Sequence, residues 1–187
     1  PLMSDVEKMT RKSQEAMQAA ARTAEQKGHP AVEPEHLLMA LIEQTDGIVP
    51  RLLEKLNVPG RFSEDIQAKL NKLPSVTGSG QKIFASNRLS KVFTGSEAEA
   101  AEFGDAYIST EHFLLSMLKM KDSDLDGLFK KHKITAENVL AQLKEMRGSQ
   151  KVTDDDPENK YEVLNKYGRD LTALANEGKL DPVIGRD

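Results

Sequence analysis

The chain has 187 residues, of which 38% are hydrophobic, 30% charged and 5% aromatic, with no Cys and no Trp. That is enough apolar material for one ordinary domain with an appendage, and the lack of cysteine excludes a disulfide scaffold, a thiolate zinc site and a cysteine nucleophile. The net charge of −4 is concentrated in the tail, where residues 149–187 hold six Lys/Arg against nine Asp/Glu. The remainder therefore has no basic field of the kind that phosphate backbones demand, and nucleic acid is not an expected partner. No apolar run approaches the roughly 20 residues of a membrane span, and no basic-then-apolar opening reads as a signal peptide. The expected setting is cytoplasmic, without a membrane partner.

Good helix formers dominate the composition, so the fold class expected is all-α. Ser4-Asp5-Val6-Glu7 has the form of a capping box, and Met9, Ala16, Met17, Ala20 and Ala24 follow at helical spacing until Gly28 supplies a stop. A second helix opens at Glu33-Pro34-Glu35-His36, with proline in the first turn, where a missing N–H is harmless. Helices are then expected over about 47–56 and 63–73. Pro74-Ser75-Val76-Thr77-Gly78-Ser79-Gly80 breaks the pattern as a small-residue connector. A second helical block is expected over about 87–103, 110–120, 123–131 and 135–146. Residues 148–157, with Asp154-Asp155-Asp156, read as an exposed acidic linker. A further helix over about 158–176 leads into a coil ending Asp181-Pro182-Val183-Ile184-Gly185-Arg186-Asp187.

The two blocks are copies of one unit. Gly28-His29-Pro30-Ala31-Val32-Glu33-Pro34-Glu35-His36-Leu37-Leu38 aligns with Gly104-Asp105-Ala106-Tyr107-Ile108-Ser109-Thr110-Glu111-His112-Phe113-Leu114 at a constant offset of 76. The organisation expected is one domain over 1–147 built from four-helix repeats at about 1–74 and 81–147, a linker at 148–157, and a separate segment at 158–187. A repeat of about 75 residues buries too little surface to be stable by itself. Two copies related by an approximate two-fold axis would cover each other's apolar faces and leave a groove where the paired helices meet.

The duplicated Glu-His signature resembles the Clp N-terminal domain of AAA+ unfoldases. The tail narrows the resemblance to the ClpB type of disaggregase, through Tyr167-Gly168-Arg169-Asp170-Leu171-Thr172-Ala173-Leu174-Ala175 and Gly178-Lys179-Leu180-Asp181-Pro182-Val183-Ile184-Gly185-Arg186-Asp187. Asn71-Lys72-Leu73-Pro74 and Ser86-Asn87-Arg88-Leu89 are similar to the same family. The resemblance implies a non-catalytic domain that engages unfolded or aggregated polypeptide and passes it to an ATPase ring. It also implies a larger parent, homohexameric, ATP- and Mg-dependent and coupled to a DnaK-type chaperone. Residues 158–187 would begin the first ATPase domain, with Val183 and Ile184 on the adenine side of its nucleotide site. No Gly-x-x-x-x-Gly-Lys-[Ser/Thr] occurs in the chain, so this piece, expected to be a monomer, should bind no cofactor and hydrolyse no ATP. A ClpA- or ClpC-like domain that docks a folded adaptor is the alternative, and a brace for the ATPase ring is another.

Three positions carry over from the family as substrate-binding candidates: Thr10 on the first helix, Asp105 in the turn before the second Glu-His pair, and Glu111 within it. The expectation is an acidic edge beside an apolar groove, which favours on-rate for Lys- and Arg-flanked segments. Glu111 near a helix start and Asp105 after Gly104 also have purely structural readings. Glu35, the repeat mate of Glu111, resembles the acidic residue that grips phosphoarginine in ClpC-type domains. Of the seven methionines, Met9 and Met17 are expected to line the groove and most others to lie in the core. Glu33-x-x-His36 has ligand-like spacing, but Ser109 replaces Glu33 in the second repeat, so no metal site or hydrolase centre is expected, and the histidines should instead bond to backbone.

Overall fold

A computed structural model describes residues 7–76 and 83–157. The capping box at Ser4 and the segment 158–187, including Val183 and Ile184, lie outside the described residues. Repeat one comprises α1 (Arg11–Gln26), β1 (Ala31–Val32), α2 (Pro34–Glu43), α3 (Ile48–Lys55) and α4 (Arg61–Asn71). Repeat two comprises β2 (Phe84–Ala85), α5 (Asn87–Phe103), α6 (Thr110–Lys119), α7 (Ser123–Lys131) and α8 (Ala136–Arg147). The expected all-α architecture is present, with the helices of the two repeats in the same order.

Local chemistry fixes the boundaries, and it does so twice. Thr10 caps α1 by accepting from the Ser13 N–H at 3.2 Å, and Ser86 caps α5 by accepting from the Leu89 N–H at 3.0 Å. Gly28 and Gly104 end the two longest helices among the described residues at φ +72° and +74°, where a side chain is strained. Non-glycine residues in the same conformation, Asn57 and Lys133, end α3 and α7 at φ 60° and 59°. Each of these pairs is separated by the offset read from the sequence.

Helices α2 and α6 form the centre. Buried residues surround α2 from Pro34 to Leu41 and α6 from Thr110 to Leu118, the pattern of helices packed on all sides. Leu37, Leu38 and Leu41 on α2 correspond to Phe113, Leu114 and Met117 on α6, and all six are fully buried. The amphipathic helices α1, α3, α4, α5, α7 and α8 cover them. Contacts run between the repeats as well as within them, as α3 packs on both α6 and α8 while α4 packs on α7.

Helical periodicity gives no sign of strands, and the structure supplies a short exchange between the repeats. Val32 of the first turn pairs in parallel with Ala85, which precedes α5. Ile108 of the second turn pairs in parallel with Met9, which precedes α1. The two bridges are mates at the repeat offset. The Thr10 N–H donates to the Ile108 carbonyl at 2.9 Å, and the Ser86 N–H donates to the Val32 carbonyl at 3.0 Å. Each repeat thus anchors the start of the other's first helix, which explains why Met9 and Thr10 precede α1 rather than lying within it.

Two glycines test the backbone chemistry in opposite directions. Gly104→Ala places a side chain at φ +74° and should lower unfolding free energy by about 1 kcal/mol. Gly127→Ala, in exposed helix interior with nothing within 4 Å of the added carbon, should raise it by up to about 1 kcal/mol. Equilibrium denaturation of both variants checks the pair.

Candidate functional site

The groove expected at the repeat junction lies between α1 and α5. Its walls are Met9, Met17 and Ala21 on one side and Leu89, Phe93 and Glu97 on the other, with Val32 and Ala85 of the strand exchange behind them. Its volume is about 630 Å³. Met9 and Ala85, Met17 and Phe93, and Ala21 and Glu97 are mates at the repeat offset, so the groove straddles the pseudo-two-fold. Lys8 and Glu97 close one end with a 3.0 Å ion pair between exposed groups. Such a pair contributes little stability and leaves the apolar surface open. Phe84, between the lining residues Ile83 and Ala85 but outside the lining, is 67% exposed, the most exposed large hydrophobic residue among those described. Met9 and Met17, expected at the groove, are among its lining residues, together with Phe93 and Leu89, which carry no local signal of such a role. The repeat offset alone could have found Phe93, since it is the mate of Met17.

Thr10, Asp105 and Glu111 occupy different surroundings from those expected. Thr10 and Glu111 are buried, and so is the side chain of Asp105. The Thr10 hydroxyl caps α1 and its N–H is bonded to Ile108. Arg147 of α8 donates to Asp105 at 2.7 Å and to Glu111 at 3.4 Å, and its guanidinium stacks 4.8 Å from the Phe103 ring centroid. The expectation of an open acidic edge is therefore corrected: both carboxylates are neutralised inside the domain. Burial alone would raise the Asp105 carboxyl. Hydrogen bonds from His112, Arg147 and the Val152 N–H outweigh it and hold the carboxyl well below the usual carboxylate range.

Glu35 is handled the same way by a different arginine. Arg88, at the start of α5, places two nitrogens on Glu35 at 3.1 and 2.9 Å and two on Asp122 at 2.9 and 2.7 Å, and reaches Glu33 at 3.1 Å. Asp122 caps α7, accepting from the Asp124 and Leu125 amides. One guanidinium thus joins the N-termini of α2, α5 and α7. The hydrogen bond to Asp122 is the largest contribution raising the Arg88 pKa above its ordinary value, so the guanidinium stays charged. Both Glu-His carboxylates are already paired with an arginine of this chain, which disfavours the phosphoarginine reading of Glu35 and Glu111.

The histidines of the signature are capping residues. His36 Nδ1 accepts from the Glu33 N–H at 2.9 Å and His112 Nδ1 from the Ser109 N–H at 2.8 Å. The ring proton must then lie on Nε2 in each. His112 donates it to Asp105 at 2.8 Å, and His36 donates it to His29 Nδ1 at 2.8 Å. His29 and Asp105 are mates at the repeat offset, so one position accepts this proton with an imidazole in one repeat and a carboxylate in the other. Among the described residues no group of three or more His, Cys, Asp or Glu is arranged to hold a metal.

These buried groups set the response to mutation and to acid. Arg147→Ala removes the cation facing the buried Asp105 and Glu111 carboxylates and should cost about 3–5 kcal/mol of stability by denaturant titration. From neutral pH down to about 4 the acid response expected of the first repeat comes from His36. Burial, and then the neighbouring His29 and Lys27, lower the His36 pKa from 6.5 to about 4. Unfolding therefore takes up a proton that the folded state refuses, so stability is full above pH 6.5 and falls as pH drops towards 4, by about 3 kcal/mol. His36→Gln, which keeps a side chain suited to the capping box, should flatten that slope. An unchanged slope in the variant would place the titration elsewhere.

Residues 8–132 match the family described as the Clp repeat (R) N-terminal domain. The chain is 69% identical over 180 residues to the chaperone protein ClpB of Bdellovibrio bacteriovorus, covering 96% of this chain and 21% of that protein. It is 43% identical over 188 residues to ClpB of Nitratidesulfovibrio vulgaris, covering 98% of this chain and 22% of that protein. The chain thus spans about a fifth of the length of these relatives. Its fold superposes on the Hsp104 N-terminal domain from Candida albicans with a TM-score of 0.70 at 24% identity, covering 79% of this chain and 96% of that one. A ClpV N-domain solved in complex with a VipB peptide gives 0.62 at 19% identity, covering 76% and 92%. The duplicated helices, the Glu-His caps and these matches together establish that the chain belongs to the Clp N-terminal domain family, with the ClpB chaperones among its relatives.

Proposed function

We propose that this domain engages unfolded or aggregated polypeptide through the groove between α1 and α5, as the N-terminal domain of a ClpB-like disaggregase. The observation that carries the reading is the apolar groove in which Met17 and Phe93 are half-buried on facing walls, over the buried Met9 and Leu89. Thioethers adapt to varied side chains, and an open groove of this size offers limited surplus after ordering costs, so binding is weak. Weak binding suits a domain that passes its substrate on. The peptide-bound ClpV N-domain supports the same use of a shared fold.

In this reading Thr10 acts by holding Met9 at the groove edge, and Asp105, Glu111 and Glu35 act by fixing the helices behind it rather than by touching substrate. The longer parent, extrapolated from the ClpB relatives, is a cytoplasmic homohexamer that binds ATP and Mg. Residues 158–187 enter its first ATPase domain, with Val183 and Ile184 beside adenine, and a DnaK-type chaperone cooperates with it. Among the described residues no helix is long and apolar enough to cross a membrane.

Met17→Ser combined with Phe93→Ser removes apolar area from both walls, at half-buried positions that pack against the core without belonging to its buried centre. Binding of an unfolded polypeptide, followed by calorimetry or fluorescence anisotropy, should weaken by about tenfold or more. Unchanged affinity would move the substrate off this groove. A tight one-to-one complex with a folded adaptor would favour the ClpA/ClpC-like alternative.

A further inference from the structure

The segment expected to be an exposed linker lies against the domain. After Gly148 turns at φ +59°, the chain runs back across the second Gly-Asp turn. The Gln150 carbonyl accepts from Arg147 at 3.1 Å, and Lys151 Nζ donates to the Phe103 carbonyl at 2.6 Å. The Val152 N–H donates to Asp105 Oδ1 at 2.9 Å while its carbonyl accepts from the Ala106 N–H at 2.7 Å. The Asp155 carbonyl then accepts from the Arg11 N–H at 2.7 Å. That amide opens α1 and belongs to the turn whose donors have no partner within the helix.

The pseudo-symmetry shows how far this departs from a passive tail. Val76 is the repeat mate of Val152, and each follows its repeat's last helix. Ser75 donates to the Lys27 carbonyl as Lys151 does to that of Phe103. Yet Val76 is 42% exposed and Val152 is fully buried. Where Asp105 receives Val152, its mate His29 has its Nδ1 occupied by His36. The same Asp105 oxygen also receives Arg147 at 2.7 Å, so the closing of α8 and the capture of the following chain share one acceptor.

We propose that residues 149–157 form a strap latched by Asp105 and Arg147, and that docking of the strap orders the Lys8–Arg11 edge of the groove. The coupling path is short. The strap bonds the 104–108 turn through Ala106 and the start of α1 through Arg11. Ile108 of that turn in turn accepts from Thr10 and donates to Lys8, on either side of Met9. A polypeptide pressed against Met9 then stabilises the docked strap, and a docked strap shapes the site for the polypeptide. Occupancy of the groove is thereby linked to how firmly the domain is held to the chain that follows. This link to occupancy rests on the groove reading above, whereas the ordering of the edge does not.

Amide hydrogen exchange by NMR on the 187-residue chain separates the two. The wild type should protect Arg11 and Ala106, whose partners lie in the strap, by at least about tenfold over free-chain rates. Val152→Asp should release both and also speed exchange at Thr10 and Ile108, with Leu38 and Leu114 unchanged; Val152→Ala makes the same comparison if the charged variant loosens the core. Free-chain rates at Arg11 and Ala106 in the wild type would overturn the strap. Wild-type rates at Thr10 and Ile108 after the strap is released would overturn the coupling. Adding a short Leu- and Phe-containing peptide to saturation should slow Arg11 and Ala106 exchange several-fold, and unchanged rates with bound peptide would refute the link to occupancy. A wild type that binds no peptide at all would refute the groove reading and the link with it, while exchange at Thr10 and Ile108 still decides whether the strap orders the edge.

Discussion

Everything at the functional face depends on the exchange between the repeats, in which the Thr10 amide bonds to Ile108 and the Ser86 amide to Val32. A repeat of this size cannot bury enough surface alone, so the two copies share a core, and the exchange fixes where each first helix begins. It delivers Met9 and Ala85 to the same place from opposite directions. Because α1 and α5 start from this pseudo-symmetric junction, their mates Met17 and Phe93 face one groove. The apolar site is thus a product of how the duplication closes.

The charged residues of the signature serve that closure. An arginine from another helix neutralises the Glu of each Glu-His pair, Arg88 for Glu35 and Arg147 for Glu111. Each histidine caps its own inner helix and passes its remaining proton to the position after the turn glycine. The first repeat accepts with His29, a second buried imidazole. The second accepts with Asp105, which has an oxygen to spare for Arg147 and the Val152 amide. This one difference gives the second repeat a side-chain acceptor for the chain that leaves it, where the first holds Val76 through the Gly28 carbonyl.

Much of the fold is legible in the sequence because it is written twice. The 76-residue offset, the two glycine stops and the apolar run after each Glu-His pair place the helices, and α5 and α7 run over the residues expected. The groove and its methionines follow from the same symmetry. The strand exchange is not legible, since two-residue ladders such as Ala31–Val32 with Phe84–Ala85 carry no periodicity. The burial of Asp105 and Glu111 escapes a sequence reading because their arginine lies 42 and 36 residues away along the chain, and local charge patterning sees only near neighbours. The Asp154-Asp155-Asp156 run reads as solvent-facing linker, but it is the backbone carbonyl of Asp155 that docks, and composition is blind to that.

The central claim is that polypeptide binds between α1 and α5, and methionine methyls report on it directly. With the methyls of this chain labelled, an unfolded polypeptide should shift Met9 and Met17 saturably. Met117, fully buried and outside the groove lining, should stay in place. Motionless Met9 and Met17 at high micromolar polypeptide, or saturable shifts elsewhere with both unmoved, would contradict the account.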